Sequence, residues 1–483
     1  MNINLIKRDF MDYKEILKEI KPTIAEREKV HKIANEAIDY INKKSLEENI
    51  NAEAILVGSV AKDTWLSGKA DIDIFINFPL EKSEDYLKEK GLYLGYECIE
   101  HLNGIAKKHY ASHPYLTSHI NNYDIDFVPC YKIANASQLK SAVDRTLLHT
   151  KYMKKHLSQN QKDEVLVLKK FMIEVGTYGS EFKVGGFAGY LCEMLILEYG
   201  NFENTLKEAS LWKNKTVIDL ENYGTSKLFN DSLIAIDPTD ENRNVAAALR
   251  TGKMAEFIIA SRNFLSDENL SDENKKIDYF HEVNKKIDLN EIILGFRDRK
   301  TKVITVKFNI PDVPVDTLHP QLKKTQISIE EKLEENDFSV FKSDYWTDED
   351  KIAIFIFELN VHIQSKYRIH EGPKIWDKLA STNFLNSHKG ISYILGDTLV
   401  LNKKREFETA EELIKFVLTH ENIPIIKVGK NLKDLIVNSY ELNDLEDLLN
   451  KDTYLNDSSK PSYFNDFLKF LDDFLNPGRL LKR

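Results

Sequence analysis

The spacing of apolar residues predicts two helices followed by a set of short strands in the first part of the chain. Apolar residues recur at helical spacing through 9–44, and Pro22 separates the two helices that this spacing predicts. The pattern then changes to short apolar or alternating runs. It predicts strands at 54–57, 71–75, 107–112 and 122–129, with a helix at 83–102. Strands interleaved with helices in this way indicate an α/β domain.

The middle of the chain is predicted to be a mainly helical domain that ends at a linker. Residues 141–212 show mostly helical spacing, a strand is predicted at 233–236, and another helix is predicted at 242–264. The polar segment 265–277, LSDENLSDENKKI, predicts a linker because it lacks the apolar residues that a packed core requires.

Beyond the linker, the pattern predicts an α+β module with a helical tail. Strands are predicted at 302–310 and 352–359, with a helix at 321–336 between them, and 407–483 is mostly helical. The predicted fold class is therefore α+β and multidomain. The predicted domains are 1–140, 141–264, 278–400 and 401–483.

Length and composition narrow the class of protein. A chain of 483 residues is long enough for about two to four domains. It has no run of about 18 apolar residues that would indicate a membrane-spanning helix, and its charged N-terminal residues do not resemble a signal peptide. The three cysteines, Cys98, Cys130 and Cys192, fit no zinc or disulfide spacing. These features predict a cytoplasmic protein with buried thiols and no membrane partner.

The net charge of −10 argues against a general nucleic-acid binder, because contacts to phosphates require clustered Lys and Arg. A basic cleft on an acidic body remains compatible with this charge. Short basic runs at 151–155 and 297–300 are, on their own, typical of a solvated surface.

The strongest chemical signal is a pair of aspartates on one predicted strand. Residues two apart in a strand project from the same face, so Asp71 and Asp73 point together, whereas Ile72 and Ile74 point to the core. Adjacent carboxylates repel each other unless a cation lies between them. Phosphoryl-transfer sites commonly hold two divalent ions about 3.5–4 Å apart. The pattern therefore predicts a metal-dependent phosphoryl-transfer site.

Residues before and after this strand fit the same chemistry. Gly58 and Ser59 end a predicted strand in a tight turn, where backbone N–H groups and a hydroxyl could bind phosphate, and Lys62 would add positive charge. A third carboxylate is expected from an adjacent strand. Asp124 and Asp126 share one face of that strand, so spacing leaves the choice between them open. A lone Asp-x-Asp usually marks a solvated strand face, and it is the combination that indicates catalysis.

The order of these motifs resembles that of the polymerase-β-like nucleotidyltransferase superfamily, and several segments are similar, more narrowly, to the archaeal-type, class I CCA-adding enzymes. In the first half these are GSVAKDTWLSGKADIDIF (58–75), DFVPCYKI (126–133), SAVDRT (141–146), KVGGFAGYLCE (183–193) and DPTDENRNVAAAL (237–249). After the linker they are VKFNIPDVPVDTLHPQL (306–322), Gly372-Pro373 and VGKNLKDLI (428–436). The resemblance therefore spans most of the chain rather than one domain.

The resemblance implies an activity and a role for each domain. It implies template-independent addition of C, C and A to the 3′ end of tRNA from CTP and ATP, with release of pyrophosphate. It also implies a nucleotidyltransferase domain at 1–140, a nucleotide-binding helical domain at 141–264, and an RNA-binding body and tail beyond them. The implied cofactor is Mg²⁺, although oxygen ligands suit Mn²⁺ as well. The partners would be tRNA, ATP and CTP, and the protein would be a monomer or a homodimer.

The resemblance assigns candidate site residues and selects Asp126 over Asp124 as the third carboxylate. The implied catalytic and metal-binding residues are Asp71, Asp73 and Asp126. The implied nucleotide-binding residues are Ser59, Lys62, His149, Lys169, Tyr178 and Arg243. Among these, the family holds the triphosphate and sugar at the positions of His149, Lys169 and Tyr178, and an arginine at the position of Arg243 helps to select the base. Candidate contacts to the base or primer are Tyr115 and Asn244.

Three positions depart from the family pattern. Lys62 stands where an arginine is common, and Asp71 stands where glutamate is frequent, a change that keeps the carboxylate. Gly185 stands where many members carry an arginine, so one phosphate contact is expected to be moved or missing.

Two other functions remain compatible with the residues. Another polymerase-β-like nucleotidyltransferase, whether A-adding only, poly(A)-type or an oligonucleotide synthetase, would share the three carboxylates and act on a different substrate. A non-enzymatic RNA-binding descendant would have no need of the carboxylates, and their presence argues against it.

Overall fold

The computed structural model describes residues 13–110, 114–267, 278–281, 287–453 and 463–477. One compact unit lies within Met1–Asn284 and a second lies within Lys285–Pro477. The four domain boundaries, the oligomeric state and the cytoplasmic location stay predictions.

Helices and strands alternate in the first part of the first unit, as the apolar pattern predicts. The elements are α1 (Lys14–Ile20), α2 (Ile24–Glu47), β1 (Glu53–Val57), α3 (Gly58–Lys62), β2 (Asp71–Phe78), α4 (Glu84–His101), β3 (Lys107–Tyr110), β4 (Pro114–Ile120) and β5 (Tyr123–Tyr131). The five strands form one sheet in the order β1-β2-β5-β4-β3. Strands β2 and β5 run parallel, and the other three pairs in this sheet are antiparallel. Predicted residues 9–12 and 111–112 lie outside the described ranges.

Helices α2 and α4 cover one face of this sheet. Ile72 and Ile74 of β2 and Phe127 of β5 are buried in the same apolar core as Ala37 of α2 and Leu94 of α4. Burial of a large apolar side chain contributes roughly 1.5–3 kcal/mol, so this packing holds the strands in place. The residues that alternate with them project from the opposite face.

The sequence pattern does not predict β4, because a polar residue interrupts its apolar face. Leu116, Ser118 and Ile120 all point to the core. Ser118 breaks the apolar alternation on which a strand prediction rests. The pairing of β4 with β5 supplies the backbone hydrogen bonds that compensate for this weak local signal.

The second part of the first unit is mostly helical, and the prediction for 141–212 is confirmed. The elements are α5 (Arg145–His156), α6 (Gln159–Glu174), α7 (Gly189–Tyr199), α8 (Phe202–Ala209), β6 (Thr216–Ile218), β7 (Leu233–Asp237), β8 (Asp240–Asn244) and α9 (Thr251–Asp267). Their shared apolar core includes Val165, Phe171, Leu195, Phe202 and Phe257. Of the predicted linker 265–277, the first three residues continue α9, and 268–277 lie outside the described ranges.

The predicted helix at 242–264 is wrong in its first part. Strand β8 pairs with β7 there, Val245–Ala248 forms a 3-10 turn, and α9 begins only at Thr251. The Asn244 side chain accepts a hydrogen bond from the backbone N–H of Ala246 at 2.9 Å. Such a side-chain cap competes with helix formation, and here the strand pairing adds to it.

The second unit combines two antiparallel sheets with helices, which confirms the α+β prediction for this part of the chain. Its elements are α10 (Leu289–Arg299), β9 (Lys302–Asn309), α11 (Val315–Glu335), β10 (Val340–Thr347), β11 (Ile352–Leu359), β12 (Tyr367–Lys374), α12 (Lys378–Ser387), β13 (Ser392–Leu395), β14 (Thr398–Lys404), α13 (Ala410–Val417), α14 (Lys433–Ser439), β15 (Glu441–Asp444), α15 (Leu445–Thr453) and α16 (Phe464–Leu475). The strand orders are β10-β11-β9-β15 and β12-β14-β13. Strand β11 is buried along its whole length between two apolar cores.

Two strands of this unit, β9 and β11, were predicted, whereas β10 and β12 to β15 were not. The predicted strands at 302–310 and 352–359 are β9 and β11, and the predicted helix at 321–336 begins earlier, at Val315. The mostly helical prediction for 407–483 holds in the described residues, apart from β15. Cys98, Cys130 and Cys192 are buried and unpaired, as predicted. In the described ranges, none of the helices has the length and apolar character needed to cross a membrane.

Candidate active site

Four aspartates lie on one face of the first sheet, where β2 and β5 run side by side. The parallel register places Asp71 opposite Asp124 and Asp73 opposite Asp126. Because side chains alternate along a strand, all four carboxylates project from the face opposite α2 and α4. The prediction that Asp71 and Asp73 project together is confirmed.

The two candidates for the third carboxylate differ in their surroundings. Asp124 is exposed, and its carboxylate lies 2.8 Å from the His119 ring. Asp126 is half-buried and accepts a hydrogen bond from the side chain of Thr117 on β4. Asp126 is therefore the more enclosed of the two and the direct neighbour of Asp73, which supports the choice that the resemblance implied.

The carboxylates are destabilised in their ionised form. Burial raises the pKa of Asp73 to about 7, and the charges of Asp126 and Asp71 add to this effect. Burial also raises the pKa of Asp126 to about 6. The pKa of Asp71 is raised by burial and then by Asp124. The charge of Lys62 offsets only part of the effect at Asp73.

This unbalanced negative charge is the property expected of a site for a divalent cation. Carboxylates supply the hard oxygen ligands that Mg²⁺ and Mn²⁺ prefer, and a cation between them would remove their mutual repulsion. Among the described residues, no three His, Cys, Asp or Glu side chains already converge as a complete metal-binding set. In charge and in ligand chemistry, the carboxylates nevertheless fit a divalent metal.

The turn that contains Gly58 brings backbone against the carboxylates. Strand β1 pairs with β2 so that Val57 lies opposite Asp73, and Gly58 follows directly as the first residue of α3. Gly58 has a φ of +71°, and a Cβ at this position would overlap with Oδ2 of Asp73. Only glycine permits both the left-handed conformation and this close approach. The predicted strand is confirmed, whereas the predicted tight turn is a single helical turn, α3, of which Ser59 is the second residue.

The lysine of this turn is buried rather than exposed. The Lys62 side chain is 8% exposed, and its Nζ lies 2.6 Å from Oε2 of Glu193, which is fully buried. The other carboxylate oxygen of Glu193 accepts a hydrogen bond from the Thr64 hydroxyl at 2.6 Å. Lys169 is also buried, and its Nζ donates to the Thr64 carbonyl at 2.7 Å. Burial alone would raise the pKa of Glu193, but the two lysines outweigh burial and hold it below its usual value.

Two predicted nucleotide-binding side chains meet at the start of α7. A Cβ on Gly189 would lie 3.2 Å from the Tyr178 hydroxyl and 3.4 Å from Lys169 Nζ. Gly189 is the first residue of α7, so a small residue leaves space for both polar groups there. The structure therefore brings Lys169 and Tyr178 together, as the resemblance implied.

Two other predicted residues meet at a cleft of about 440 Å³, which is lined by His149, Tyr190 and Arg243 among others. His149 stacks on the Tyr190 ring with 3.9 Å between ring centroids. His149 Nε2 and Arg243 NH1 lie 2.7 and 2.8 Å from the same oxygen of Asp237. Asp237 was not singled out from the sequence, and neither was Glu193. The available signal for Glu193 is one acidic residue inside the apolar run LCEMLIL.

The two candidate base or primer contacts have different surroundings. Tyr115 lies two residues before Thr117 on β4 and thus on the face that carries Asp126, and its ring stacks on His109. The Asn244 side-chain amide forms hydrogen bonds with other residues of the protein. It accepts from the N–H groups of Ala235 and Ala246 and donates to Asp231 and to the Leu233 carbonyl. These bonds use both amide hydrogens and both acceptor positions, so the Asn244 side chain has no group left for a base.

The space beside Gly185 is filled by an arginine from another segment. Gly185 has a φ of +63°, and a Cβ there would lie 2.6 Å from Nε of Arg250. The Arg250 guanidinium hydrogen-bonds the carbonyl of Phe182 and lies over its ring. An arginine at position 185 would thus have to displace Arg250. The moved or missing phosphate contact stays a prediction.

The aspartate-bearing parallel strands and the adjacent Gly-Ser turn define a nucleotidyltransferase, the class of enzyme that transfers a nucleotide to an acceptor hydroxyl. Family models match three consecutive parts of the chain. A nucleotidyltransferase domain matches 35–149, the second domain of tRNA nucleotidyltransferases matches 163–272, and the C-terminal domain of CCA-adding enzymes matches 299–444.

Relatives are similar over nearly the whole chain. The CCA-adding enzyme of Methanothermobacter thermautotrophicus is 44% identical over 98% of this chain and 99% of its own length. Those of Methanocaldococcus jannaschii and Methanosarcina barkeri are 37% and 35% identical, each over 88% of this chain and over 95% and 92% of their own lengths. The chain belongs to the CCA-adding enzyme family. It is an enzyme, a tRNA nucleotidyltransferase that adds CCA without a template, and the match to the C-terminal domain separates it from enzymes that share only the catalytic core.

We expect Gly58→Ala to lower kcat about 100-fold, because the added Cβ must displace the Asp73 carboxylate or the turn. The measurement is steady-state incorporation of labelled CTP, together with thermal unfolding of the variant. Gly68→Ala is the matched control, since Gly68 has nearly the same φ, +72°, and nothing within 4 Å of its Cβ position. Equal activity of the two variants would show that the close approach to Asp73 is not required.

We expect Glu193→Gln to lower the free energy of unfolding by about 3–5 kcal/mol, because two buried lysines lose the carboxylate that compensates them. Denaturant titration measures this loss. Glu198→Gln, on the exposed side of the same helix, should change stability by less than about 0.5 kcal/mol. If both variants unfold at the same denaturant concentration, the buried ion pair does not stabilise the fold.

Proposed function

We propose that the chain completes the 3′ end of tRNA by joining its 3′-hydroxyl to the α-phosphate of CTP, twice, and then of ATP. Asp71, Asp73 and Asp126 are the proposed catalytic carboxylates. The observation that carries this proposal is the parallel register that sets Asp126 beside Asp73, on the face that the Gly58 turn also reaches. In each addition the 3′ oxygen bonds to the α-phosphorus, and the bond from that phosphorus to the pyrophosphate oxygen breaks.

The three carboxylates are the proposed ligands of Mg²⁺ in the working enzyme. A pair of divalent ions, when bound, offsets charge on the attacking and leaving oxygens. Asp126 is also the proposed acceptor for the proton of the attacking hydroxyl, since it is the more enclosed carboxylate of β5. General-base assistance of this kind contributes about 10²–10⁴-fold. The same oxygen ligands suit Mn²⁺.

Donors for the triphosphate are proposed to come from two places in the first unit. Ser59 directly follows the glycine that lies against Asp73, and Lys169 Nζ, which also donates to the Thr64 carbonyl, lies with the Tyr178 hydroxyl at the start of α7. Hydrogen bonds from these groups would hold the pyrophosphate as it leaves. Lys62 is proposed to act on the triphosphate through its positive charge rather than through a direct hydrogen bond, because its ammonium group is already paired with Glu193.

The incoming nucleotide is proposed to enter the cleft lined by His149 and Arg243, with its base at Arg243 and its triphosphate or sugar at His149. The volume of the cleft, about 440 Å³, lies in the range of about 300–1,000 Å³ that is usual for small-molecule sites. A well-placed bidentate arginine contact contributes about 1–3 kcal/mol to base discrimination. That energy is modest for accurate selection, so the growing RNA end is proposed to complete the pocket, with Tyr115 near the primer.

The direct test is incorporation of labelled CTP and ATP into tRNA transcripts that end before CCA, after C and after CC. We expect ordered addition of C, C and A, followed by arrest. Addition of A alone to the CC-ending transcript would indicate an A-adding specialist. If the enzyme made polymer or cyclic product from nucleotides alone and transferred nothing to tRNA, it would still be a nucleotidyltransferase, but tRNA would not be its substrate.

Asp126→Asn and Asp124→Asn form a matched pair in the same assay, because both residues lie on the same face of β5. We expect Asp126→Asn to lower kcat by about 10²–10⁴-fold, and Asp124→Asn to remain within a few-fold of the unsubstituted enzyme. If Asp124→Asn lost activity and Asp126→Asn did not, Asp124 would be the third catalytic carboxylate in place of Asp126.

The raised pKa values predict that Mg²⁺ stabilises the protein more at higher pH. Asp73 has a usual pKa of 3.8 in the unfolded chain and one of about 7 in the folded protein, so the folded state binds this proton more tightly. Without metal, stability should therefore fall as pH rises between these values. Added Mg²⁺ should raise the unfolding temperature more at about pH 8 than at about pH 5, and Asp73→Asn should remove most of that difference. Sodium chloride at matched ionic strength is the control, and an equal shift at both pH values would contradict the metal site.

A further inference from the structure

Asp237 is the last residue of β7, and both oxygens of its carboxylate accept hydrogen bonds from other side chains. Its side chain is fully buried, and one oxygen accepts from His149 Nε2 at 2.7 Å and from Arg243 NH1 at 2.8 Å. The other oxygen accepts from the backbone N–H and hydroxyl of Thr239 at 2.9 and 2.8 Å, and the Tyr190 hydroxyl lies 3.5 Å away. The Asp237 carboxylate therefore contacts polar side chains from three other elements, α5, α7 and β8.

The charge on Asp237 is maintained in spite of its burial. Burial alone would raise the pKa of Asp237, but the hydrogen bond and charge of His149 and the bonds from Thr239 hold it well below its usual value. Burying an ionised carboxylate costs several kcal/mol unless its hydrogen bonds are complete, and here they are. His149 and Arg243 both line the cleft, whereas Asp237 lies behind them.

We infer that Asp237 is a positioning residue for the incoming nucleotide, which holds His149 and Arg243 at a fixed separation on the wall of the cleft. This inference rests on the proposed function, since it takes the cleft to be the nucleotide site. When the His149 ring is protonated, it and the Arg243 guanidinium would repel each other if they stood side by side without a shared anion. The shared carboxylate replaces that repulsion with two charge-assisted hydrogen bonds and fixes the direction in which each group points.

Asp237 also determines what His149 can offer to a nucleotide. An ionised carboxylate only accepts hydrogen bonds, so Nε2 of His149 carries the proton in their contact. In the neutral ring, Nδ1 is then an acceptor, and it becomes a donor to a phosphate oxygen only when the ring is protonated. Burial lowers the pKa of His149, Arg243 and Lys62 lower it further, and Asp237 raises it, while the stacked Tyr190 ring is neutral. Asp237 thus favours the protonated form, and Arg243 and Lys62 oppose it.

The test compares Asp237→Asn with the unsubstituted enzyme by calorimetric titration of ATP and of CTP without tRNA, and by KM and kcat for CCA addition. We expect Kd and KM for both nucleotides to rise about 10- to 100-fold, with a smaller change in kcat. The unsubstituted Kd should rise with pH as His149 loses its proton, and in Asp237→Asn this rise should begin at a lower pH.

Asp219→Asn is the matched control. Asp219 follows β6, which runs parallel to β7 in the same small sheet, and its carboxylate accepts from the loop N–H groups of Tyr223 and Gly224 at 3.0 and 2.8 Å. Asp237→Glu serves as a second variant if Asp237→Asn unfolds, because it keeps the charge and displaces the oxygens. For Asp237→Glu we expect a rise in Kd in the same direction and of smaller size.

A double-mutant cycle with His149→Gln separates positioning from a general structural effect. Because Asp237 acts in part through His149, the double variant should weaken binding by much less than the product of the two single fold-changes. The inference is wrong if the fold-changes multiply, or if Asp237→Asn binds both nucleotides as tightly as Asp219→Asn. Weaker ATP binding in Asp237→Asn, in an enzyme that adds nothing to tRNA, would support the inference and overturn the proposed function.

Discussion

The parallel pairing of β2 with β5 is the constraint on which the active site depends. It sets Asp73 beside Asp126, and the antiparallel pairing of β1 with β2 then brings the Gly58 turn against the same carboxylate. A slip of one residue in either strand would turn the carboxylates into the core. The apolar side chains that alternate with them, such as Ile72 and Ile74, prevent that slip because they are buried under α2 and α4.

Around this sheet the first unit contains two kinds of buried carboxylate. Glu193 and Asp237 are paired with cations, and their pKa values lie below the usual range. Asp73 and Asp126 lack such pairing, and their pKa values are raised to about 7 and about 6. The paired carboxylates hold cationic side chains in place, whereas the unpaired ones leave a negative charge that a divalent ion can neutralise. Strongly shifted pKa values of this kind are common at catalytic centres.

Elements with a strong local pattern were predictable, and elements that depend on distant pairing were not. Strand β2 and helices α2 and α4 have apolar residues at a clear period, and β9 and β11 are short, largely apolar runs, so their existence follows from the local sequence. Strand β4 has a buried serine in its apolar face, and β8 is polar and occupies a segment with apparent helical spacing. Both form because each pairs with a neighbouring strand, β4 with β5 and β8 with β7, and a local sequence pattern does not predict such pairing.

The residues of the candidate active site also divide into those that the sequence pattern predicted and those that only the folded structure brought together. The sequence by itself determined the catalytic strand, the Gly-Ser turn before it and the need for a third carboxylate, because alternation along a strand is a local property of the backbone. Spacing left the choice between Asp124 and Asp126 open and the resemblance favoured Asp126; the tertiary structure adds that Asp126 is the more enclosed of the two, because enclosure depends on which strands lie on either side. It also decided that Lys62 is buried on Glu193, 131 residues away, and that His149 is held by Asp237, 88 residues away. Contacts between residues so far apart in sequence depend on how the chain folds, so spacing along the chain does not predict them.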